Sequence, residues 1–249
     1  MNAFHCQQLS KSFDGVHALV DVSLEFPATG ITAIIGPNGA GKTTLLNILT
    51  GFLRPNAGKC FLGPHETTQS PPHRIARMAV ARTFQDLRLI SQVSTLDNVL
   101  VSCPNQRGER LLPALLRIGV AKEEAKNRGS AMDLLRFVGL EAQANDLAGE
   151  LSYGQQKLLT LACCIATQAR VLFLDEPVAG IAPEKVSQIL DLLRKLSSQG
   201  KTIVFIEHDI EAIRRAADHV IVMDDGKIVT QGPPAEVLEK SEIMEAYLG

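Results

Sequence analysis

The chain has 249 residues, 45% hydrophobic and 21% charged, enough to bury one substantial core or one core with a smaller satellite. Its formal charge of -2 lacks the strong basic footprint of a nucleic-acid binder, and no nucleic-acid partner is expected. No run reaches the roughly 18 uninterrupted apolar residues of a membrane span. The most apolar region, 158–174, is broken by Thr160, Thr167, Gln168 and Arg170. The N-terminal stretch MNAFHCQQLSKSF has no long apolar segment of the secretory type, so a cytoplasmic location is the expectation.

Along the chain, apolar and polar residues alternate loosely through Val16–Phe26, predicting antiparallel strands beside a main sheet. Residues 31–35 (Ile-Thr-Ala-Ile-Ile) form a buried-type strand that ends at a glycine-rich loop. Residues 43–50 have helical character, stopped by Gly51 and Pro55. From about 87 to 150 the pattern turns helical, through Leu111, Leu112, Leu115 and Leu116 and then Met132, Leu134, Leu135 and Val138. Pro113 and Gly119 blur the helix boundaries there, and the stretch is predicted to be a helical insertion. Residues 171–174 and Thr202–Ile206 are further buried strands. Residues 219–223 and 227–230 flank Asp224-Asp225-Gly226, a hairpin signal. Buried strands alternating with helices predict an α/β fold with a parallel sheet.

The five cysteines, at 6, 60, 103, 163 and 164, show no zinc-ligand spacing and are expected to be buried, reduced thiols.

Gly36-Pro-Asn-Gly-Ala-Gly-Lys42-Thr43 satisfies G-x-x-x-x-G-K-[ST] between a predicted strand and a predicted helix. Gly36, Gly39 and Gly41 let backbone N–H groups turn inward as an anion nest, and the helix beginning near Lys42 adds its positive end. Lys42 is placed to reach the β- and γ-phosphates of ATP, and the Thr43 hydroxyl to ligate Mg²⁺. Asn38 and Thr44 complete the candidate nucleotide contacts. Farther on, Val-Leu-Phe-Leu-Asp175-Glu176 is a buried strand ending in two carboxylates, which such a sheet places beside the phosphate loop. Asp175 is then the candidate holder of Mg²⁺ through its waters, and Glu176 the candidate general base. Ser152 is placed to cap a helix from about 153 to 167, whose N-terminus makes a second anion-seeking end.

With Leu151-Ser152-Tyr153-Gly154-Gln155-Gln156 ahead of this acidic strand, essentially the whole chain resembles the nucleotide-binding subunit of an ABC transporter. The resemblance implies a phosphate-loop NTPase (RecA-like) core with an antiparallel β subdomain and an inserted α-helical subdomain. The expected limits are about 1–30 with part of 55–80 for the β subdomain, about 31–86 and 158–249 for the core, and about 87–157 for the helical subdomain. It also implies a head-to-tail dimer, homo- or heterodimeric, in which each ATP meets one subunit's phosphate loop and the other's Ser152, Gly154 and Gln155. By the same resemblance Phe13 stacks on adenine, Gln85 reaches Mg²⁺ and the attacking water, and His208 contacts the γ-phosphate. The remaining histidines, at 5, 17, 65, 73 and 219, are expected to be structural. One position departs from the family pattern: Ala182 stands where an aspartate is common, in the loop that crosses the dimer interface.

The runs Val80-Ala-Arg-Thr-Phe-Gln85-Asp-Leu-Arg-Leu89 and Glu245-Ala-Tyr-Leu-Gly249 are similar to a bacterial subfamily that energises branched-chain amino acid import. That resemblance implies integral membrane permease subunits, an extracytoplasmic binding protein acting indirectly, and a peripheral place on the cytoplasmic face of the membrane. A urea or amide importer, a lipid-export ATPase and a soluble ABC ATPase are the alternatives.

Overall fold

Residues 4–104, 106 and 120–239 are described by the computed structural model. The first strands, β1 (Phe4–Phe13) and β2 (Val16–Phe26), pair antiparallel from Phe13↔Val16 to Phe4↔Phe26. Their turn, Asp14 and Gly15, has φ of 46° and 89°, the double positive φ whose twist suits a two-residue hairpin. Next come β3 (Gly30–Ile35), α1 (Lys42–Leu49), β4 (Ala57–Leu62), β5 (His65–Glu66), α2 (Pro72–Arg77) and β6 (Val80–Arg82). The helices α3 (Thr95–Val101), α4 (Val120–Val138) and α5 (Tyr153–Ala166) follow, with no strand between them among the described residues. The chain continues through β7 (Val171–Asp175), α6 (Pro183–Ser198), β8 (Thr202–Ile206), α7 (Ile210–Ala216), β9 (His219–Asp224), β10 (Lys227–Gly232) and α8 (Pro234–Val237).

These strands form an antiparallel sheet in the order β2-β1-β4-β5 and a six-stranded sheet in the order β10-β9-β3-β8-β7-β6. In the larger sheet β9, β3, β8, β7 and β6 run parallel, and β10 is antiparallel at the edge. Every residue of β7 and β8 is buried, as expected of parallel strands covered on both faces. Asp225 and Gly226, with φ of 43° and 72°, make the predicted hairpin turn between β9 and β10. Strand β6 was not anticipated from the sequence. Its three residues carry no periodicity of their own and become a strand by pairing with β7 from Val80↔Val171 to Arg82↔Phe173.

The chain divides into two compact units. The larger comprises Met1–Arg82, Arg170–Ala179 and Pro183–Gly249 and contains both sheets. Its core is stapled by aromatics: the Phe173 ring meets Phe4 at 5.5 Å and Phe26 at 6.2 Å, both edge-on. Each such pair adds roughly 0.5–1.5 kcal/mol beyond its burial and fastens the antiparallel sheet to β7.

The smaller unit comprises Thr83–Ala169 and Gly180–Ala182. Ser94 caps α3 by accepting from Asp97 N. Behind that cap, the buried Asn98 accepts from Ile90 N at 2.9 Å and donates to Ile90 O at 3.1 Å and Ser94 O at 3.0 Å. One side chain thereby folds the preceding loop onto α3. The expectations for Leu111, Leu112, Pro113, Leu115, Leu116, Gly119 and residues 245–249 fall outside the described residues.

All five cysteines are free, with Cys6, Cys60 and Cys164 buried as expected. Cys103 and Cys163 correct that expectation, being only half-buried. Cys163 lies on a less covered side of α5, where its thiol reaches Asn98 O at 3.4 Å. His5 stacks on Phe61 at 4.6 Å.

Candidate functional site

Strand β3 delivers the chain to Gly36 at the carboxyl edge of the larger sheet, and α1 begins six residues later. Glycine is required at two of these positions for separate reasons. At Gly36 (φ 147°) a Cβ would run into Met223 O, and at Gly41 (φ 94°) it would run into Ala18 O and the Leu19 side chain. Gly41 is also the N-cap of α1 and offers no side-chain acceptor. The first N–H groups of α1 therefore face outward without a capping oxygen, as an anion site needs.

The Lys42 ammonium is buried and donates to Gly36 O at 2.7 Å and Pro37 O at 2.8 Å, bracing the loop in a turn. Burial pulls its pKa below the usual lysine value, while the carboxylates of Glu176 and Asp175 push it back up. Lys42 follows β3 and Asp175 and Glu176 close β7, so all three stand at the same end of the sheet. Asn38, Gly39 and Thr43 are exposed, and Thr44 is half-buried.

Asp175, the last residue of β7, is buried, and its Oδ2 lies 3.5 Å from Arg82 Nη2. Glu176 follows with φ of 47°, a left-handed conformation that is strained for a glutamate and frequent where strain serves a site. Its backbone N–H donates to Ile206 O at 3.0 Å, and its Oε1 lies 3.5 Å from His208 Nε2. An acidic residue and an imidazole thus meet just past the carboxyl ends of two adjacent parallel strands. Burial leaves both reachable: the side chains are 26% exposed for Glu176 and 47% for His208.

Phe13 is 42% exposed at the end of the β1–β2 hairpin, with Lys11 Nζ 5.0 Å from its ring. A phenylalanine kept out of the core leaves part of its ring surface open to solvent.

In the smaller unit, Ser152 is the N-cap of α5. Its hydroxyl accepts from Gln155 N at 3.4 Å, and Gln155 Oε1 accepts from Ser152 N at 2.9 Å. Gly154 and Gln155 are half-buried, while Ser152, Gln85 and Ala182 are exposed. Next to Gln85, the Arg88 guanidinium stacks over the Phe84 ring at 3.4 Å.

Two residues that touch the site were missed from sequence. Arg82 has a nearly buried guanidinium that donates to Asn47 Oδ1 on α1 at 2.6 Å and to Oγ1 of its C-cap, Thr50, at 3.1 Å, as well as facing Asp175. Glu207, only 2% exposed, accepts from Val178 N at 2.8 Å and from His208 N at 3.2 Å. Nothing local announces Arg82, whose partners lie far away in sequence. Glu207 did carry a signal, an acid directly after five apolar strand residues, the same placement that singled out Asp175.

A glycine loop on an uncapped helix end, a braced lysine and a carboxylate–imidazole pair are the features that a site for phosphate hydrolysis needs. Comparison with known proteins gives the family. Residues 19–179 match the profile of the ABC transporter family. The chain is 36% identical over 243 residues to the high-affinity branched-chain amino acid transport ATP-binding protein BraF of Pseudomonas aeruginosa, covering 97% of this chain and 95% of that one. It is 37% identical over 245 residues to the corresponding LivG protein of Salmonella typhimurium, again covering 97% and 95%. A nucleotide-free ATP-binding cassette from an ABC transporter superposes with a TM-score of 0.87 at 31% identity, each chain covered fully. A dimeric bacterial ABC transporter cassette superposes with a TM-score of 0.78 at 25% identity, covering 93% of this chain and 98% of that one. The chain belongs to the ABC transporter family and is one of its nucleotide-binding ATPases.

Proposed function

We propose that this chain is the ATP-hydrolysing subunit of an importer of branched-chain, hydrophobic amino acids. The observation that carries the hydrolytic part is the 3.5 Å approach of His208 Nε2 to Glu176 Oε1, beside a phosphate loop braced by Lys42. The cargo is supported by the transport role in the names of BraF and LivG, which match over nearly the full chain.

ATP binds with its phosphates against the N–H groups of residues 36–44 and the Lys42 ammonium, and with its adenine on Phe13. Glu176 accepts the proton of the attacking water, and His208 steadies the γ-phosphate through its imidazole N–H. Thr43 and Asp175 are the residues of the larger unit that would hold Mg²⁺. The hard oxygen donors among them suit this ion, which keeps several waters when bound to phosphates. Among the described residues there is no group of three or more His, Cys, Asp or Glu at metal-holding distance, so softer metals have no competing cage. Bound there, Mg²⁺ would neutralise charge on the phosphates.

A second ATPase, identical or homologous, completes each site with its own Ser152, Gly154 and Gln155 counterparts. The division of labour follows the expected subdomains: the β subdomain for adenine, the core for hydrolysis, and the helical segment of about 87–157 for the signature and the permease contact. ATP closes the dimer because it binds the closed state more tightly, and hydrolysis removes that preference. Among the described residues no helix is long and apolar enough to cross a membrane. On the reading as an importer subunit, the chain works peripherally, on the cytoplasmic face, against integral permease subunits that an extracytoplasmic binding protein supplies.

Replacing Glu176 with Gln tests the hydrolytic assignment. Steady-state ATPase activity should fall by about 10²-fold or more, with ATP still bound; unchanged activity would make the assignment wrong. For the cargo, uptake of labelled leucine should disappear in a strain lacking the gene and return with the wild-type chain but not with Glu176→Gln. Intact leucine uptake alongside lost urea uptake would move the cargo to the amide class.

A further inference from the structure

A carboxylate next to the candidate site has no place in the chemistry above, yet it is among the most deeply buried charged groups described. Glu207 is 2% exposed, one residue past the end of β8. Its two oxygens serve two different loops. Oε1 accepts from Val178 N at 2.8 Å, in the segment that leaves β7 through Glu176. Oε2 accepts from His208 N at 3.2 Å, at the start of the segment that leaves β8. The strands beneath are already in register, with Asp175 opposite Ile206 and Glu176 N donating to Ile206 O at 3.0 Å. Past that last rung the ladder ends, and the side chain of Glu207 continues the tie between the two segments.

We propose that Glu207 is a positioning residue for ATP hydrolysis, whose buried carboxylate fixes the Glu176 segment and the His208 segment to each other. The inference rests on the reading of Glu176 and His208 as the hydrolytic pair. Their side chains approach to 3.5 Å, and both grow from backbone that this carboxylate holds. A carboxylate is acceptor-only with two oxygens, so it satisfies two N–H donors at once. Glutamine keeps one acceptor and turns a donor toward the other N–H, and alanine leaves both donors without this partner. Charged acceptors make the shorter and stronger hydrogen bonds, which suits a clamp that has to survive the motions of a working ATPase. Glu207 touches no phosphate in this scheme and acts only through its neighbours.

The test uses the full chain, assayed at concentrations where hydrolysis is measurable, with Glu207→Gln, Glu207→Ala, His208→Ala and the Glu207→Ala/His208→Ala double variant. Misplacement of a reacting group by about 1 Å costs on the order of 10²-fold in rate. Glu207→Ala should accordingly lower kcat by roughly 10- to 100-fold, with ATP affinity held within about twofold because the phosphate loop is untouched. Glu207→Gln should recover part of that loss. In the His208→Ala background the further loss from Glu207→Ala should shrink by about threefold or more, the mark of residues acting through one another.

A kcat within about twofold of wild type for Glu207→Ala would overturn the proposal. So would a full multiplicative loss in the double variant, or a fall in kcat matched by an equal fall in ATP affinity, which is what a purely structural role gives. If Glu207→Ala does not fold, the same split between kcat and ATP affinity is read from Glu207→Gln, where unchanged kcat sinks the idea. Glu176→Gln separates the two levels. Loss of activity there with Glu207 variants unaffected removes only the positioning role, whereas an active Glu176→Gln removes the hydrolytic pair itself.

Discussion

The two anion-seeking helix ends of this chain are built in opposite ways. The first, at α1, is capped by Gly41, which has no side chain to give, so its N–H groups stay available and Lys42 braces the loop around them. The second, at α5, is closed by a reciprocal box in which Ser152 and Gln155 satisfy each other's backbone. The contrast teaches that the same helix dipole is ready for phosphate at one end and occupied by its own cap at the other. Binding at α1 requires no rearrangement of side chains, whereas a phosphate at α5 has to compete with a cap that contributes roughly 1 kcal/mol. On the proposed function, one end suits the first capture of ATP, and the other suits a contact made late, when a partner subunit brings its nucleotide close.

The largest test of this contrast is Lys42→Ala. Hydrogen bonds to charged groups contribute about 1.5–3 kcal/mol each, so ATP affinity should drop by roughly 10- to 100-fold, read by titration with a fluorescent nucleotide. An affinity within about twofold of wild type would mean that α1 is not the capture end.

A smaller effect is expected for Ser152→Ala. It should leave nucleotide affinity of the isolated chain unchanged, lower stability by about 1 kcal/mol through the lost cap, and reduce ATPase activity only where the partner is present. Weaker ATP binding by the isolated variant would break the contrast between the two ends.

The smallest test sharpens how tightly each unit is closed. Burial pushes the Cys6 and Cys164 thiols up to about 12 and Cys163 up to about 11, against an ordinary value of 9.0. Cys60 is raised as well, by burial first and then by Cys6 and Glu66. The native state therefore holds protons that the unfolded chain releases, so stability is full below about pH 9 and declines as pH rises from there toward the native values. Alkylation of the folded protein at pH 8 should be slow at Cys6, Cys60 and Cys164 and become fast on unfolding. Fast native labelling of Cys164 would show that α5 opens more readily than its burial indicates.

Much of the site was legible because its elements are local. A strand, a glycine loop and a helix in immediate succession identify the phosphate site through backbone geometry that a few adjacent residues dictate. An apolar run ending in Asp175-Glu176 announces a buried strand with acids at its mouth, and Ser152 ahead of a helical run announces an N-cap. The resemblance carried by LSYGQQ supplied the dimer and the roles of Phe13, Gln85 and His208, which no local pattern contains.

Other features depend on residues that meet only after folding. Strand β6 exists because β7 offers it a ladder. Arg82 reaches Asn47, Thr50 and Asp175 across 35, 32 and 93 positions of sequence. Glu207 became a two-loop clamp because β7 and β8 lie side by side with their ends level. The strained φ of Glu176 and the exposure of the Phe13 ring were likewise decided by the fold around them. Short-range backbone rules wrote the phosphate loop into the sequence itself. The long-range pairing of strands, which depends on the burial of every residue between them, decided which charged groups stand beside it and how rigidly they are held.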